Sequence, residues 1–449
     1  MIANSMPRFG RLAGTVVLAA ILGGCAGGLF GGKDDKTTPT VGDRVPILSR
    51  IESGASVDPE LAGVQVVLPP AQVNAAWPQA GGTANKAYGH LALAAAPQRA
   101  WTAQITGSTE RRRLAAAPVV GGGMVFAVDT GGTVHAFDEA SGGRRWSYRM
   151  EVASNLANAA FGGGASFDGG RVYATNGVGE VVALDAGTGT QVWKVKPAGP
   201  LRGSPTVAFN TVFVMTQDNQ IHALSANDGT PVWNESGSIA QAGVFGVAAP
   251  AAGQGTVVAG YSTGELVAYR YENGRVLWSD ALARTSISTQ VGSLTDIDAD
   301  PIIADGRVYA LGQGGRMASY ELVTGQRIWE LNVGGISTPA IAGEWIFALT
   351  DDARMLGIAR TSGKVRWITQ LQRFRDEEDR EGPVFWTGPV LAGGSLWVAS
   401  TRGAVYRLST GEGSASLFLE LNAPVSLPPV VANETLYILD DSGRLHAFR

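Results

Sequence analysis

The sequence predicts an all-β fold, an eight-bladed β-propeller of four-stranded antiparallel blades. Three observations predict it: a repeated frame of four positions, a turn glycine at a fixed place in the repeat, and two incomplete ends that complete each other. The frame begins at Pro118 and continues at Phe126, Phe137 and Trp146, in steps of eight, eleven and nine residues. Self-similarity at roughly 40 to 50 residues is typical of solenoids and propellers. The further copies are Ala165, Tyr173, Leu184, Trp193; Pro205, Phe213, Leu224, Trp233; Pro250, Val258, Tyr269, Trp278; Pro301, Tyr309, Tyr320, Trp329; Pro339, Phe347, Ile358, Trp367; Pro389, Trp397, Leu408, Leu417; and Pro429, Tyr437, Phe448.

Each repeat predicts four short strands. Short apolar runs such as residues 125–128 and 134–137 are separated by Gly, Asp, Asn and Thr, and no stretch has a helical period. In six repeats a glycine lies four residues before the tryptophan, where a tight hairpin needs a residue that tolerates positive φ. We therefore expect a hairpin between the third and fourth strands. These glycines are Gly142, Gly189, Gly229, Gly274, Gly325 and Gly363.

The two ends of the repeat region are each incomplete. The last copy stops at Arg449 before its fourth position, whereas Trp101 stands upstream without the first three. If the strand at Trp101 pairs with the strand at Phe448, the N-terminal strand completes the last blade and closes the ring, which protects the strand edges. Each tryptophan would then fill the wedge between two blades and bury on the order of 200 Å². The expected blade-docking residues are Trp101, Trp146, Trp193, Trp233, Trp278, Trp329 and Trp367.

The N-terminus has the pattern of a secretory signal over residues 1–24. Arg8 and Arg11 precede an apolar run at 12–22 that is too short to span a bilayer. Cys25 is the only cysteine of the chain and follows a Leu-Gly-Gly sequence that resembles a lipobox, so Cys25 is the predicted lipidation site. By analogy with lipoproteins, Ala26 indicates the outer membrane, with the protein facing the periplasm. The alternative is an ordinary signal peptide with an incidental cysteine.

Composition separates a tether from a folded body. Residues 25–74 are predicted to form the lipidated tether and N-terminal extension, because the stretch is rich in Gly, Lys, Asp, Thr and Pro and lacks periodicity. Residues 75–449 are predicted to form the propeller. Removing residues 1–24 changes the formal charge from −4 to −6. A mildly acidic chain is a poor nucleic-acid binder.

The most variable parts of the repeat are the connections from one tryptophan position to the next proline position. All of them emerge on one side of the disc, and loops on a rigid scaffold commonly carry binding functions. The connection after Trp278 ends with Asp296, Asp298 and Asp300. These carboxylates could bind Ca²⁺, cap turns or form an exposed acidic patch for an arginine of a partner; the glycine and glutamate of an EF-hand loop are missing. We expect no metal.

The connection after Trp233 carries Val244 and Phe245 in a glycine-rich loop, which could be a small binding hot spot or could simply be buried. The charged run at 373–380 and the arginines at 111–113 are interpreted as solvated loops. Three histidines share one repeat position on the third strand, so they are interpreted as copies of a sheet position. They are His135, His222 and His446.

The stretch at 183–193, which reads Ala-Leu-Asp-Ala-Gly-Thr-Gly-Thr-Gln-Val-Trp, resembles the tryptophan-docking motif of the pyrroloquinoline-quinone propellers. One branch of that superfamily, the quinoprotein dehydrogenases, implies a quinone against a vicinal disulfide, Ca²⁺ and a catalytic aspartate. The single cysteine at Cys25 cannot supply that disulfide. No cofactor and no catalytic residue are therefore expected.

The other branch is the BamB family of outer-membrane assembly lipoproteins. This chain resembles it in the lipobox, the short tether, the eight repeats and the Trp-Pro-Gln-Ala-Gly-Gly stretch at 77–82. The resemblance implies docking of a periplasmic POTRA domain of the barrel-inserting subunit BamA. The family's Asp-x-Asp loop corresponds to Asp296 and Asp298, and its Leu-x-Leu-Arg loop to a stretch with Val244 and Phe245, where the arginine is absent.

The leading hypothesis is a non-enzymatic scaffold of the outer-membrane assembly machinery that binds BamA. Such a scaffold could also guide nascent outer-membrane strands by strand addition to exposed blade edges. The alternatives are a quinone-dependent dehydrogenase and a propeller that binds cell-envelope polymers.

Overall fold

The computed structural model describes residues 55–201, 203–238, 248–282, 296–313 and 315–449. These residues form eight four-stranded antiparallel sheets and one additional two-stranded hairpin. The predicted eight-bladed propeller is therefore confirmed. Two short 3-10 turns, Pro59–Leu61 and Ser154–Ala159, are the helical elements of the described residues. None of the described helices is long and apolar enough to cross a membrane.

The strands are numbered along the chain, and each blade runs from its innermost to its outermost strand. Blade 1 contains β2 (Val119–Gly121), β3 (Met124–Val128), β4 (Thr133–Asp138) and β5 (Arg144–Arg149). Blade 2 contains β6 (Ala165–Asp168), β7 (Arg171–Thr175), β8 (Val181–Asp185) and β9 (Gln191–Val195). Blade 3 contains β10 (Thr206–Ala208), β11 (Thr211–Met215), β12 (Gln220–Ser225) and β13 (Pro231–Ser236). Blade 4 contains β14 (Ala251–Gly253), β15 (Thr256–Gly260), β16 (Glu265–Arg270) and β17 (Val276–Ala281).

Blade 5 contains β18 (Ile302–Ala304), β19 (Arg307–Gly312), β20 (Arg316–Glu321) and β21 (Arg327–Leu331). Blade 6 contains β22 (Ala340–Ala342), β23 (Trp345–Leu349), β24 (Arg354–Ala359) and β25 (Val365–Gln370). The extra hairpin, β26 (Phe374–Asp376) and β27 (Glu381–Pro383), follows blade 6. Blade 7 contains β28 (Trp386–Ala392), β29 (Ser395–Ser400), β30 (Ala404–Ser409) and β31 (Ala415–Glu420). Blade 8 contains β32 (Val430–Ala432), β33 (Thr435–Leu439), β34 (Arg444–Phe448) and, as its outermost strand, β1 (Arg99–Gln104).

The ring closes where the two ends of the repeat region meet. Strand β1 pairs antiparallel with β34, so that Trp101 lies opposite Ala447 and Gln104 lies opposite Arg444. The predicted pairing of the Trp101 and Phe448 segments is confirmed. Because the outermost strand of blade 8 comes from the N-terminal side, blade 8 has no hairpin between its third and fourth strands.

Each frame tryptophan docks on the following blade. Its indole N–H donates to a backbone carbonyl in the hairpin between the third and fourth strands of that blade, at 2.7 to 3.1 Å. The ring lies against the hairpin glycine: a Cβ on Gly274 would approach the Trp233 ring to 2.8 Å. This glycine is thus required both by its positive φ and by the indole. The acceptors are Glu139, Ala186, Ala226, Tyr271, Leu322, Arg360 and Thr410.

Blade 7 departs from the frame because blade 8 offers no such hairpin. Leu417, at the tryptophan position, is 50% exposed. The aromatic contact to blade 8 is made instead by Phe418, whose ring lies 5.0 Å from the Trp397 ring and 5.8 Å from the Phe448 ring between centroids. The tryptophan is missing at the one junction where the surface it would dock on is missing.

Residues 55–93, here called the strap, contact every blade of the ring. The strap begins on the outer edge of blade 6, where Val57 forms a parallel bridge with Val365. It then enters the centre of the ring, where the Gln79 side chain accepts from the Val207 N–H at 2.9 Å and donates to the Val207 carbonyl at 2.8 Å. The bonded ring positions, from blade 1 to blade 8, are Val120, Phe167, Val207, Ala252, Ile303, Val365, Leu391 and Asn433.

Residues 55–74, which lie in the stretch predicted to form the tether and N-terminal extension, pack on the ring. Their contacts are largely backbone hydrogen bonds, which leave no periodicity in the sequence. The charged run at 373–380, interpreted as a solvated loop, contains β26 and the turn before β27, although its side chains are largely exposed.

Candidate functional site

A central cavity of about 460 Å³ lies among the segments that precede the innermost strands. These segments are the ends of the blade-to-blade connections, so the cavity belongs to the side of the ring where the connections emerge, here called the connection face. Trp77 and Tyr88 of the strap contribute to its wall, together with Pro389 of blade 7. Asp298 and Asp300 line the side formed by blade 5. The cavity is therefore mainly apolar, with carboxylates on one side.

The three aspartates before blade 5 occupy different environments. Asp296 is only 2% exposed, whereas Asp298 and Asp300 are partly buried at the cavity wall. The expectation of an exposed acidic patch is therefore wrong for Asp296, because the loop turns this side chain inward. Asp298 remains accessible from the cavity.

Asp300 joins three blades. Its Oδ1 accepts from the Ala249 N–H at 2.7 Å, and its own N–H donates to Thr338 Oγ1 at 3.0 Å. Ala249 ends the connection after Trp233, and Asp300 ends the connection after Trp278. The structure thus brings the ends of these two connections together.

The carboxylates at the cavity wall are partly buried, and burial disfavours their charged form. Burial, with the negative charges of Asp296 and Asp351, raises the pKa of Asp298 from 3.8 to about 7. Burial also raises the pKa of Asp300, although the nearby Lys86 opposes this shift. A carboxylate with a pKa this high is only partly ionised at neutral pH. A cation that entered the cavity would favour its charged form.

Lys86 is the buried cation beside this wall. It is 1% exposed, and its Nζ donates to the Ala80 carbonyl at 2.8 Å and to Thr206 Oγ1 at 3.2 Å. Burial lowers its pKa from 10.5 to about 8. Its φ of 64° lies in the left-handed region, which is uncommon for a residue other than glycine. The ammonium thus links the strap to blade 3 and lies close to Asp300.

The histidines do not come together. His135 and His446 each bond an aspartate on the same sheet, Asp129 and Asp440, at 2.9 Å, and His222 approaches Gln220 at 3.2 Å. They lie in three different blades, as the repeat alignment predicts. Among the side chains that the structure describes, no group of three or more His, Cys, Asp or Glu could hold a metal ion.

The cavity does not fit the quinone of the dehydrogenase branch. Such a quinone carries several carboxylates, which would face Asp298 and Asp300 across an apolar cavity. The nearest cation, Lys86, is already bonded to the strap and to blade 3. The only cysteine of the chain is Cys25, so no cysteine pair can form the platform of that branch.

Sequence reasoning located some of these residues and missed others. It identified Asp296 and Asp298 from their loop, but it gave no role to Lys86 or Tyr88. The available signal in the sequence was a lysine and aromatic residues in a stretch outside the repeats. Cys25, Val244 and Phe245 lie outside the described residues.

The sequence comparisons with known proteins agree on one family. A family model described as "Outer membrane protein assembly factor BamB" matches residues 89–160 and 130–369, more than half of the chain. BamB of Yersinia pestis is 26% identical over 357 residues, covering 78% of this chain and 88% of that protein. BamB of Escherichia coli K12 is 24% identical over 355 residues, with the same coverage of 78% and 88%.

Solved structures share the fold. BamB from Moraxella catarrhalis matches with a TM-score of 0.65 and 21% identity, covering 79% of this chain and 99% of that one. The quinohemoprotein alcohol dehydrogenase from Comamonas testosteroni matches with a TM-score of 0.67 and 14% identity, covering 84% and 81%. At these identities the likeness concerns the fold alone, so it does not separate a scaffold from an enzyme.

Proposed function

We propose that this chain, which belongs to the family of the outer membrane protein assembly factor BamB, is a non-enzymatic scaffold in outer-membrane protein assembly. The observation that carries the proposal is the family match, which extends over most of the blades. The poor fit of the cavity to a quinone supports a scaffold over a dehydrogenase. No observation favours the polymer-binding alternative.

The proposed anchor is a lipid on Cys25, in the outer membrane, with the propeller facing the periplasm. The lipobox-like sequence before Cys25 supports this placement. A lipoprotein carries more than one acyl chain, and two chains give stable anchoring where one is marginal. The strap then connects the anchored segment to the ring.

The proposed partner is a POTRA domain of BamA, which would bind on the connection face. Its contacts would be Asp298, rather than the buried Asp296, from one connection and Val244 and Phe245 from the neighbouring one. The 2.7 Å bond between Ala249 and Asp300 supports this pairing, because it holds the ends of the two connections together. Asp298 is the more accessible carboxylate of the pair, so a basic side chain of the partner would approach it first.

The test is charge reversal at Asp298 in the intact lipoprotein. Asp298→Lys is expected to lower the amount of BamA that co-purifies from detergent-solubilised envelopes by about tenfold, since a like charge replaces the attractive one. Asp296→Asn is the second variant, because a lysine at this buried position could prevent folding.

The matched control is Asp379→Lys, which reverses an exposed carboxylate in the β26–β27 turn. This control should leave recovery of BamA unchanged. Full recovery with Asp298→Lys, in a protein of wild-type stability, would remove Asp298 from the interface. Equal losses with Asp298→Lys and Asp379→Lys would indicate a general charge effect.

A further inference from the structure

We infer that the central cavity is a binding site for a small organic cation, an ammonium group carried on an apolar body. The ammonium would lie beside Asp298, and the apolar body would pack against the aromatic and aliphatic side chains of the wall. The inference goes beyond the proposed scaffold function, which requires no small ligand.

The cavity has the size and the lining of a small-molecule site. Its volume of about 460 Å³ lies within the range of about 300 to 1,000 Å³ that is usual for such sites. These sites are mostly apolar and carry a few polar groups that orient the ligand. The segments before the innermost strands of blades 1 and 8 supply mainly alanine, valine, leucine and proline to the wall. The ring thus encloses a largely apolar space with its carboxylates on one side.

The charge of the wall is negative. Among the lining residues that the structure describes, only Asp298 and Asp300 are charged. The Asp300 carboxylate is already engaged, because it accepts from the Ala249 N–H and lies near Lys86. Burial and neighbouring carboxylates disfavour charge on Asp298, and no cation among the described residues offsets them. An incoming cation would therefore interact most favourably with Asp298.

Aromatic rings line the same cavity. Trp77 and Tyr88 of the strap lie against each other, with 4.8 Å between their ring centroids, and Trp386 contributes from blade 7. The Tyr88 hydroxyl donates to the Pro389 carbonyl at 3.2 Å, so its hydrogen is already used within the protein. Aromatic rings attract cations and also pack against apolar groups. These rings favour an organic ammonium over a hydrated metal ion, which would not pack against them.

Two large apolar side chains remain exposed at the cavity. Ile336, before blade 6, is 49% exposed, and Phe385, before blade 7, is 62% exposed. Asp298 precedes blade 5, so the carboxylate and the two exposed apolar residues belong to three successive blades. A ligand with its ammonium at Asp298 would cover Ile336 and Phe385 with its apolar body, and this burial would add to the affinity.

The same features disfavour other classes of ligand. An anion would face two carboxylates across an apolar space. A polyamine would place its further charges against apolar walls. A neutral molecule would leave the charge of Asp298 without a partner. The chemistry of the cavity therefore fits a ligand with one positive charge.

The experiment measures binding to the purified full chain by isothermal titration calorimetry at neutral pH. The probes are linear phenylbutylamine, its neutral analogue phenylbutanol and its anionic analogue phenylbutyrate. The wild type is expected to bind the amine about tenfold more tightly than the alcohol, because a hydrogen bond between charged groups contributes more than a neutral one. Phenylbutyrate should bind least.

Two variants separate the charge from the apolar contact. Asp298→Asn should bind the amine and the alcohol about equally, because it removes the charge and keeps the shape of the side chain. Phe385→Ala should weaken both probes by about the same factor, roughly threefold, because it removes apolar contact. The matched controls are Glu412→Gln, at an exposed carboxylate of the β30–β31 hairpin, and Phe209→Ala, at an exposed phenylalanine outside the cavity wall. Both controls should bind all three probes as the wild type does.

The inference is overturned if the wild type fails to bind phenylbutylamine at millimolar concentration or binds the alcohol as tightly. It is also overturned if Asp298→Asn keeps the preference for the amine, if Phe385→Ala binds as the wild type does, or if the controls lose as much as the variants. BamA is absent from these titrations, so their result is separate from the proposed function. Phe385 lies outside the proposed BamA contacts, and Phe385→Ala should recover BamA in full.

Discussion

At the scale of single residues, the contact between an indole and a hairpin glycine holds neighbouring blades together. The indole needs a carbonyl acceptor and a surface without a Cβ, and the hairpin of the next blade supplies both. Two features therefore favour glycine at this position: its positive φ and its contact with the indole ring. The sequence indicated only that the glycine is a turn residue, because the contact with the indole involves a different blade.

This double requirement can be measured in blade 4. Gly274 and Gly255 have φ values of 72° and 78°, but only Gly274 lies against an indole, and a Cβ on Gly255 would meet nothing within 4 Å. Gly255→Ala should cost about 1 kcal/mol from backbone strain alone. Gly274→Ala should cost about 3 kcal/mol, since the Trp233 ring must also shift. Urea unfolding midpoints of both variants test the difference; equal costs would show that the ring moves freely.

At the scale of elements, the strap serves as an extra inner layer for the ring. The innermost strands are short, and their inward backbone groups need partners away from water. The strap supplies one bond or more to the inner side of seven blades, in part through side chains that imitate a backbone, and bonds the outermost strand of blade 6. Its irregular path explains why repeats and periodicity did not reveal it.

Gln79 provides the sharpest test of this role. Its amide satisfies both the N–H and the carbonyl of Val207, which is 3% exposed, so Gln79→Ala would leave two buried groups unpaired. A loss of about 2 kcal/mol or more in the free energy of unfolding is expected. Gln98→Ala, at an exposed position whose amide bonds the Ala96 carbonyl, should change it by less than about 0.5 kcal/mol. A small effect at Gln79 would mean that water replaces the amide.

At the scale of the whole molecule, the repeat frame predicted the number of blades and the seam, because both follow from spacing along the chain. The interior of the cavity was not predictable in this way. Asp296, Asp298 and Asp300 alternate in sequence as an exposed loop would, yet the ring buries one of them and places the other two at the cavity wall. Asp300 also lies near Lys86, which is more than two hundred residues away in the chain.

The cavity should make the stability of the ring depend on pH through Asp298. The pKa of this carboxyl is 3.8 ordinarily and about 7 in the fold, so the folded protein binds more protons between these values. Stability from this group is therefore present at acidic pH and is lost as the pH rises towards 7. Asp298→Asn should unfold like the wild type near pH 4 and be more stable by about 2 kcal/mol at pH 7.5, a value reduced to allow for the partial exposure of the carboxyl. Urea midpoints across this range measure the effect, and Asp379→Asn should follow the wild type throughout. If Asp298→Asn gains the same stability at every pH, the charge of Asp298 is not the cause of the gain.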